Sequence, residues 1–157
     1  MTPADRSDLV DLVHRYAAHA DDRDVAALVA LFVPDGVLVS PDPPRSLDPV
    51  HEARGPDGIA AALAALTQVR LTVHTIGAVV LDPLGDDPDA VRGRTTATAH
   101  HVVEHDGGLR DVVWHLRYLD DFRRTPDGWC FARRALHVDL VESRAVAHAR
   151  RGPSHLA

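Results

Sequence analysis

Histidine, aspartate and tyrosine side chains are the groups that could do chemistry in this 157-residue sequence, which contains 11 histidines and no lysine. Without lysine the chain cannot form a Schiff base with a carbonyl substrate or hold pyridoxal phosphate covalently, and it lacks the phosphate-binding lysine of a P-loop. Its single cysteine, Cys130, excludes an internal disulfide framework and a zinc site of the CxxC type. The groups that remain for proton transfer are histidine, carboxylate and tyrosine side chains.

The charge and length of the chain narrow its partners and its organisation. The net charge is −6 and the isoelectric point is near 5.9, which argues against the basic face that nucleic acid binding needs. No stretch approaches the ~20 apolar residues of a membrane span, and aspartates interrupt the region where a signal peptide would be apolar. We therefore expect a cytoplasmic protein without nucleic acid or membrane partners, with one domain over residues 1–143 and a polar tail over 144–157.

Hydrophobic periodicity indicates the elements that must position the reactive groups. Apolar residues at spacings of three and four predict helices over 3–20, 25–32 and 59–66. The period then changes to two and predicts four strands, over 69–82, 90–105, 110–124 and 129–141. A short strand over 37–40 precedes the proline-rich segment 41–54, which we expect to be a long ordered loop or a mobile lid.

This order of elements indicates the α+β class. Helices followed by an antiparallel meander are expected to pack on one face of a highly curved, mostly antiparallel sheet. A curved sheet closed by helices makes a cone-shaped barrel with an internal pocket at its mouth. Side chains on the concave face of the sheet are therefore the candidates for a functional site.

Strand alternation places one histidine in that pocket. In the run 91–105 one face carries Arg92, Arg94 and His100, and the other carries small residues and His101. Because the charged face belongs to solvent, His101 is predicted to point inward and His100 outward. Small neighbours beside His101 leave room for a ligand. His100, His101 and His105 do not converge on one point, which makes a metal site improbable.

The other strands add further pocket candidates. In 110–124 the inward set is Val112, Trp114, Leu116, Tyr118 and Phe122, which leaves Asp111, His115, Arg117 and Asp121 outside. In 129–141 the inward set is Cys130, Ala132, Leu136, Val138 and Leu140, together with Arg134. A buried arginine needs a carboxylate or carbonyl partner. The side chains expected to bind substrate are Trp114, Tyr118, Phe32 and Arg134.

Each reactive candidate also has a simpler structural interpretation. Asp21 alone is most simply a helix cap, and Tyr16 alone is most simply a core residue with its hydroxyl at the rim. The alternation in 69–82 leaves the side of His74 undecided, and a buried, hydrogen-bonded histidine is as good an interpretation as a catalytic one. The histidines expected at the surface are His14, His19, His51, His115, His148 and His155.

Five short motifs, in order and at fitting intervals, carry a resemblance to a known family. They begin at Tyr16, Leu31, Gly55, His74 and Asp127, and they read YAAHADDRD, LFVPDG, G, HTIG and DGW. Over roughly residues 5–142 the chain resembles the SnoaL-like branch of the nuclear transport factor 2-like (cystatin-like cone) superfamily. Its site pattern is most similar to the scytalone dehydratase and bile-acid dehydratase type.

The resemblance implies a set of catalytic residues. Those dehydratases place a tyrosine and an aspartate at the end of the first helix, a histidine at the start of the meander and a second histidine on the next strand. The matching residues here are Tyr16, Asp21, His74 and His101. Asp21 would orient His74, the two histidines would transfer the protons, and Tyr16 would bind the carbonyl oxygen. A second pocket tyrosine of those enzymes has no counterpart here, because segment 41–54 contains none.

The implied function is the dehydration of a hydrophobic, ring-containing hydroxy-carbonyl compound, such as a polyketide- or steroid-like molecule, without a cofactor. Alternatives are an isomerase or a cyclase in the same pocket, although ketosteroid isomerase chemistry is less favoured because Asp120 is the one obvious strand carboxylate. A third alternative is a binding or subunit-assembly module, since fold does not fix function. The resemblance also implies a homodimer that forms through the sheet, and Trp114, Trp129 and Phe131 are candidate interface residues.

Overall fold

A computed structural model describes residues 1–150, and within them the chain forms three α-helices, one short 3-10 helix and six strands. The helices are α1 (Pro3–Asp22), α2 (Val25–Ala30) and α3 (Gly55–Leu63), and α3 continues into the 3-10 helix Ala64–Gln68. The strands are β1 (Phe32–Asp42), β2 (Ser46–Arg54), β3 (Leu71–Pro83), β4 (Ala90–His105), β5 (Gly108–Thr125) and β6 (Gly128–Val146).

Helix α1 begins where its sequence predicts and ends two residues later than expected. Thr2 caps it through a capping box with Asp5, and Pro3 occupies the first turn. The backbone N–H of Thr2 and the guanidinium of Arg124 both donate to Asp5, and these bonds hold the pKa of its carboxyl well below the usual range. Because α1 extends to Asp22, Asp21 lies in its last turn and faces the sheet.

The six strands form one sheet in the order β2-β1-β6-β5-β4-β3. Every neighbouring pair is antiparallel except β1 and β6, which run parallel. The helices pack on one side of this mixed, open sheet, and the core lies between α1 and the strands. The predicted α+β cone with a mostly antiparallel sheet is therefore confirmed. No helix within residues 1–150 is both long and apolar enough to span a membrane.

The prediction of a loop or lid over 41–54 is wrong. Residues 46–54 form strand β2, which makes a hairpin with β1 in which Val37 pairs with Arg54 and Ser40 pairs with His51. The turn contains a cis peptide bond between Pro43 and Pro44. Proline-rich sequence is compatible with this strand because β2 is the edge of the sheet, where backbone N–H groups on the outer side need no strand partner.

The alternation predicted for the last strand is wrong at both ends. The pairs Asp121–Arg133 and Phe122–Phe131 leave Ala132 as one extra residue, a β-bulge that reverses the inward parity before it. Trp129 and Phe131 are therefore buried, whereas Cys130 and Ala132 are only partly buried. Near the end of the predicted run 129–141, the pairs His115–Leu140 and Leu116–Val138 leave Asp139 as a second extra residue, and Leu140 is 49% exposed.

Strand β6 also continues to Val146, beyond Arg144, where the polar tail was predicted to begin. The rest of the tail is described only to residue 150, so the prediction for His155 lies outside the described residues.

The inward and outward predictions for β4 agree with the structure. His101 lines the cavity described below, and His100 lies on the opposite face, where its Nδ1 is 2.8 Å from Asp111 Oδ2. Asp111 is on the outer face as expected but is buried, because His100 and Arg144 cover it. Of the expected surface histidines, His14, His51 and His148 are exposed, whereas His19 and His115 are partly buried.

Candidate active site

One cavity of about 420 Å³ lies between the end of α1, the α3 region and the concave face of the sheet. Most of its lining is apolar and comes from α3, the 3-10 helix, β1 and β4–β6. The lining side chains that carry a polar atom are Tyr16, Ser40, His74, His101, Trp114 and Tyr118. A small number of polar groups on an apolar wall is typical of a small-molecule site.

Asp21 and His74 form a two-point contact at the wall of this cavity. Asp21 Oδ1 lies 2.7 Å from His74 Nδ1, and Asp21 Oδ2 accepts the backbone N–H of His74 at 2.9 Å. The hydroxyl of Thr72 donates to the carbonyl oxygen of Ala20 at 3.2 Å and ties the same turn of α1 to β3. The carboxylate therefore fixes Nδ1 as the protonated ring nitrogen and leaves Nε2 available to a ligand.

His101 stands across from His74 and is held as a neutral ring. The two ring centroids are 6.1 Å apart, and the His101 ring packs on Trp114 at 4.7 Å. His101 Nδ1 lies 3.2 Å from the carbonyl oxygen of Val112, and a carbonyl can only accept, so Nδ1 carries the proton. Burial, followed by the nearby His74, lowers the pKa of His101 to about 4. At neutral pH its Nε2 is therefore an unprotonated acceptor.

Two tyrosines share one end of the cavity. The rings of Tyr16 and Tyr118 are 5.9 Å apart, edge to face, and both residues are buried. Burial is the main effect that raises the pKa of each phenol above its usual value. Both hydroxyls are consequently protonated at neutral pH and can donate a hydrogen bond to an oxygen that gains negative charge.

A sealed ion pair lies behind these tyrosines. Arg134 Nε and Nη2 donate to Asp120 Oδ1 and Oδ2, each at 2.9 Å, and both side chains are 0% exposed. The guanidinium carbon lies 4.1 Å from the ring centroid of Tyr16 and 4.0 Å from that of Tyr118. Asp120 is thus the carboxylate partner that a buried arginine requires.

The structure brings together most of the residues singled out from the sequence. Tyr16, His74 and His101 line the cavity, and Asp21 contacts His74. Of the residues expected to bind substrate, Trp114 and Tyr118 line the cavity.

Phe32 and Arg134 do not line the cavity. Phe32 packs against Tyr16 and Phe131 in the core, and Arg134 lies behind the tyrosines because its guanidinium is bound to Asp120. Trp129 and Phe131 are core residues and Trp114 faces the cavity, so these three aromatics do not supply an interface on the outer face.

Sequence reasoning missed the contribution of β1 and of the α3 region to the site. Leu38, Ser40 and Pro41 line the cavity from β1, and Leu63 and Leu66 line it from α3 and the 3-10 helix. The apolar pattern of each segment is typical of residues that face the core. Nothing in the sequence, however, indicates that β1 and the α3 region line the same cavity.

The polar groups of the site are of types that can transfer protons. Within residues 1–150 no group of three or more His, Cys, Asp or Glu side chains is placed to hold a metal ion. The cavity presents one histidine bound to a carboxylate, one neutral histidine and two phenols. Such an arrangement can remove a proton from carbon and stabilise an oxyanion.

Comparison with protein families identifies the chain. A model of the SnoaL-like domain matches residues 2–135. The chain belongs to the SnoaL-like domain family. The nuclear transport factor 2-like fold described above is the fold expected for this family. A search of the curated proteins found no significant match.

Several solved structures share the fold of this SnoaL-like protein. One, from Novosphingobium aromaticivorans and provisionally assigned as a scytalone dehydratase, is 20% identical, with 98% of this chain and 95% of that chain covered and a TM-score of 0.73. Another, from the same organism and provisionally assigned as an aromatic ring hydroxylase, is 21% identical, with 93% and 96% covered and a TM-score of 0.76. A third is the type 3 LinA hexachlorocyclohexane dehydrochlorinase of Novosphingobium barchaimii, at 15% identity, 96% and 95% coverage and a TM-score of 0.70.

Proposed function

We propose that this protein is a cofactor-free lyase that eliminates water from a hydrophobic hydroxy-carbonyl compound. The observation that carries the proposal is the Asp21–His74 pair facing the neutral His101 in an otherwise apolar cavity. A module that only binds a ligand has no need of a carboxylate-oriented histidine at its wall. The similarity in fold to a protein provisionally assigned as a scytalone dehydratase and to a dehydrochlorinase supports an elimination.

His74 is the proposed general base. Its Nε2 takes the proton from the carbon beside the carbonyl group, and Asp21 stabilises the imidazolium that forms while holding the ring in place. The electron pair of the broken C–H bond moves toward the carbonyl oxygen, which becomes an enolate. A hydroxyl of Tyr16 or Tyr118 donates a hydrogen bond to that oxygen, at the end of the cavity where both phenols lie.

His101 is proposed to orient the leaving group. With a pKa lowered to about 4 it has no proton to give from Nε2 at neutral pH, so it accepts a hydrogen bond from the hydroxyl that departs. The hydroxyl leaves as water after it receives the proton held by His74. The products are an unsaturated carbonyl compound and water, and His74 returns to its neutral form, so atoms and protons balance.

The cavity supports a hydrophobic substrate of limited size. Its walls are mainly aliphatic, and about 420 Å³ lies within the usual range for small-molecule sites. A ring-containing polyketide- or steroid-like compound remains our proposal for the substrate class. An isomerase or a cyclase would use the same base and the same oxyanion donors, and would differ in having no leaving hydroxyl.

Proton exchange provides the direct test. 2-Tetralone in D₂O reports abstraction of the proton beside its carbonyl group by NMR, whether or not a leaving group is present. The wild-type protein should exchange this proton faster than buffer, His74→Ala should lose most of the acceleration, and His51→Ala, an exposed histidine on the edge strand, should keep it. Equal rates for the wild type and His74→Ala would show that His74 is not the base. Scytalone, followed by loss of water, separates a dehydratase from an isomerase.

We also propose that two copies pair through the outer face of the sheet. Val73 pairs with His100 and Leu140 pairs with His115, so these side chains share the outer face, and the valine and leucine are 43% and 49% exposed. Light scattering after gel filtration should give twice the monomer mass, and Leu140→Arg should reduce it. A monomeric wild type would contradict the proposal.

A further inference from the structure

A second depression adjoins the cavity and is built around two guanidinium groups. Its walls include Arg23, which follows α1, and Arg70, which precedes β3, and its volume is about 420 Å³. Val69 and Val103 line both this depression and the cavity that holds His74. The two spaces therefore adjoin each other at these two valines.

Hydrogen bonds hold both guanidinium groups in place. Arg23 Nη2 donates to the backbone carbonyl oxygen of Arg70. Arg70 donates from Nη1 to Glu104 Oε1 at 3.0 Å and from Nη2 to the carbonyl oxygen of Ala149 at 2.9 Å. Because these side chains are already ordered, a ligand that binds them loses little of its binding free energy to the ordering of rotamers.

Both arginines nevertheless keep an unsatisfied donor. The Nε atoms of Arg23 and Arg70 are buried and have no hydrogen-bond partner among residues 1–150. A buried donor without an acceptor is costly, and no residue among 1–150 offsets that cost for these two Nε atoms. The other polar side chains of the depression are Thr67, Gln68 and Glu104, so positive charges outnumber negative ones in its lining.

The backbone conformation of Arg23 is unusual for an arginine. Arg23 has φ 58° and ψ 28°, the left-handed conformation in which a helix end usually has glycine. An arginine in this position carries a backbone cost that glycine would not. The local backbone therefore does not favour arginine here, so the reason for this residue lies in its side chain, which contacts the backbone of Arg70 and lines the depression.

We propose that this depression is a subsite for an anionic group, a carboxylate or a phosphate, carried by the ligand whose apolar body occupies the cavity. Guanidinium groups bind either oxyanion through charge-assisted, forked hydrogen bonds. The inference rests on the proposed function in one respect, the placement of the ligand's body in the cavity. It narrows the substrate class to acidic or phosphorylated hydroxy-carbonyl compounds.

Three probes with the same apolar chain test the subsite: octanoate, octyl phosphate and 1-octanol. Binding is measured by isothermal titration, or by the fluorescence of Trp114, which lines the cavity. The wild-type protein should bind at least one of the two anions about tenfold more tightly than the alcohol, and this preference should weaken as salt is added. The anion that binds more tightly identifies the carboxylate or the phosphate as the group recognised.

Variants of Arg23 and Arg70 test whether these residues cause the preference for anions. Arg23→Gly suits the left-handed backbone and should fold well, and Arg70→Gln keeps the carbonyl oxygen that Arg23 contacts. Each should reduce the anion preference to about threefold or less and leave 1-octanol binding unchanged. Arg15→Ala, on the exposed face of α1 and paired with Asp11, should behave as the wild type. Equal affinity for all three probes, or an unchanged preference in both variants, would overturn the proposal.

The outcome is separable from that of the proposed function. These titrations measure binding without turnover, so an anion preference that depends on Arg23 and Arg70 supports the subsite even if His74→Ala keeps full exchange activity. Conversely, if His74→Ala loses exchange but the wild-type protein shows no preference for anions, His74 is supported as the base and the proposed subsite is wrong.

Discussion

Two aspartates are each paired with a basic side chain, Asp21 with His74 and Asp120 with Arg134, and the two pairs differ in what surrounds them. In both, the carboxylate makes two hydrogen bonds to its partner residue, Asp21 to His74 and Asp120 to Arg134. The Asp120–Arg134 pair is sealed at 0% exposure beneath aromatic rings. In the Asp21–His74 pair the carboxylate is 24% exposed, and the histidine lines the cavity.

This difference in burial separates a pair that can only stabilise the fold from a pair that a ligand can reach. Arg134 carries a permanent charge, and its guanidinium is enclosed by three rings and a carboxylate, so it cannot exchange a proton with a ligand. An imidazole, unlike a guanidinium, can serve as a proton acceptor in a reaction, and Nε2 of His74 remains for a substrate. The first pair therefore supports the floor of the site, and the second is suited to act in it.

The largest expected effect is on stability, from breaking the sealed pair. Arg134→Met leaves an uncompensated buried carboxylate and should lower the free energy of unfolding by about 3–5 kcal/mol. Urea denaturation followed by circular dichroism measures it. Arg117→Met, which breaks an exposed pair with Asp139, should cost less than about 1 kcal/mol. If both variants lose similar stability, burial does not make the Asp120–Arg134 pair more important for stability than an exposed ion pair.

Next in size is the loss of activity from the open pair. Asp21→Asn should slow the exchange of 2-tetralone protons about 100-fold, because one of the two oxygens that accept from His74 becomes an NH2 donor and the charge that stabilises the imidazolium is lost. The free energy of unfolding should fall by only about 1–2 kcal/mol. A variant that is much less stable but fully active would reverse the assignment of the two pairs.

Protonation of His101 should make the stability of the fold depend on pH. The pKa of His101 falls from about 6.5 in the unfolded chain to about 4 in the fold. The folded state therefore binds fewer protons, so its stability is fully present above pH ~6.5 and is lost as the pH falls toward 4. The predicted loss, by urea titration at each pH, is about 2–3 kcal/mol.

His101→Leu is the control for this titration, because it removes the group that titrates. Its stability should change less between pH 7 and pH 4 than that of the wild type. Curves that run parallel in the two proteins would assign the acid sensitivity to other groups.

The smallest expected effect comes from the tyrosine that touches both regions. Tyr118 lines the cavity, and its ring contacts Arg134. Tyr118→Phe keeps the ring on the guanidinium and should change the free energy of unfolding by less than about 1 kcal/mol. Exchange should slow by about tenfold if the hydroxyl stabilises the enolate. An unchanged rate would leave Tyr16 as the donor.

The position of a residue could be predicted from sequence where it depends on near neighbours along the chain, and not where it depends on distant strands. His101 could be placed because β4 pairs with β5 without a break in register, so the two faces of the strand stay in step from residue 91 to 101. The alternation of β6 could not be predicted, since extra residues at Ala132 and Asp139 reverse the parity and no residue type marks them. Segment 41–54 was misassigned because its prolines are acceptable only on a sheet edge, and strand order is not written in local sequence.

The sequence by itself determined the fold and the candidates for the site. The absence of lysine and the single cysteine removed several covalent and metal mechanisms, and periodicity with the family motifs indicated an α+β cone with Tyr16, Asp21, His74 and His101 as its candidates. These properties follow from composition and from contacts between near neighbours along the chain.

Only the tertiary structure decided how these groups work together. It set the 2.7 Å contact between Asp21 and His74, which are 53 positions apart, and it placed Phe32 and Arg134 behind the cavity wall. It also brought Arg23 and Arg70 to one depression. Such distances depend on how the end of one helix meets a strand across the sheet, and that packing is fixed by the whole core.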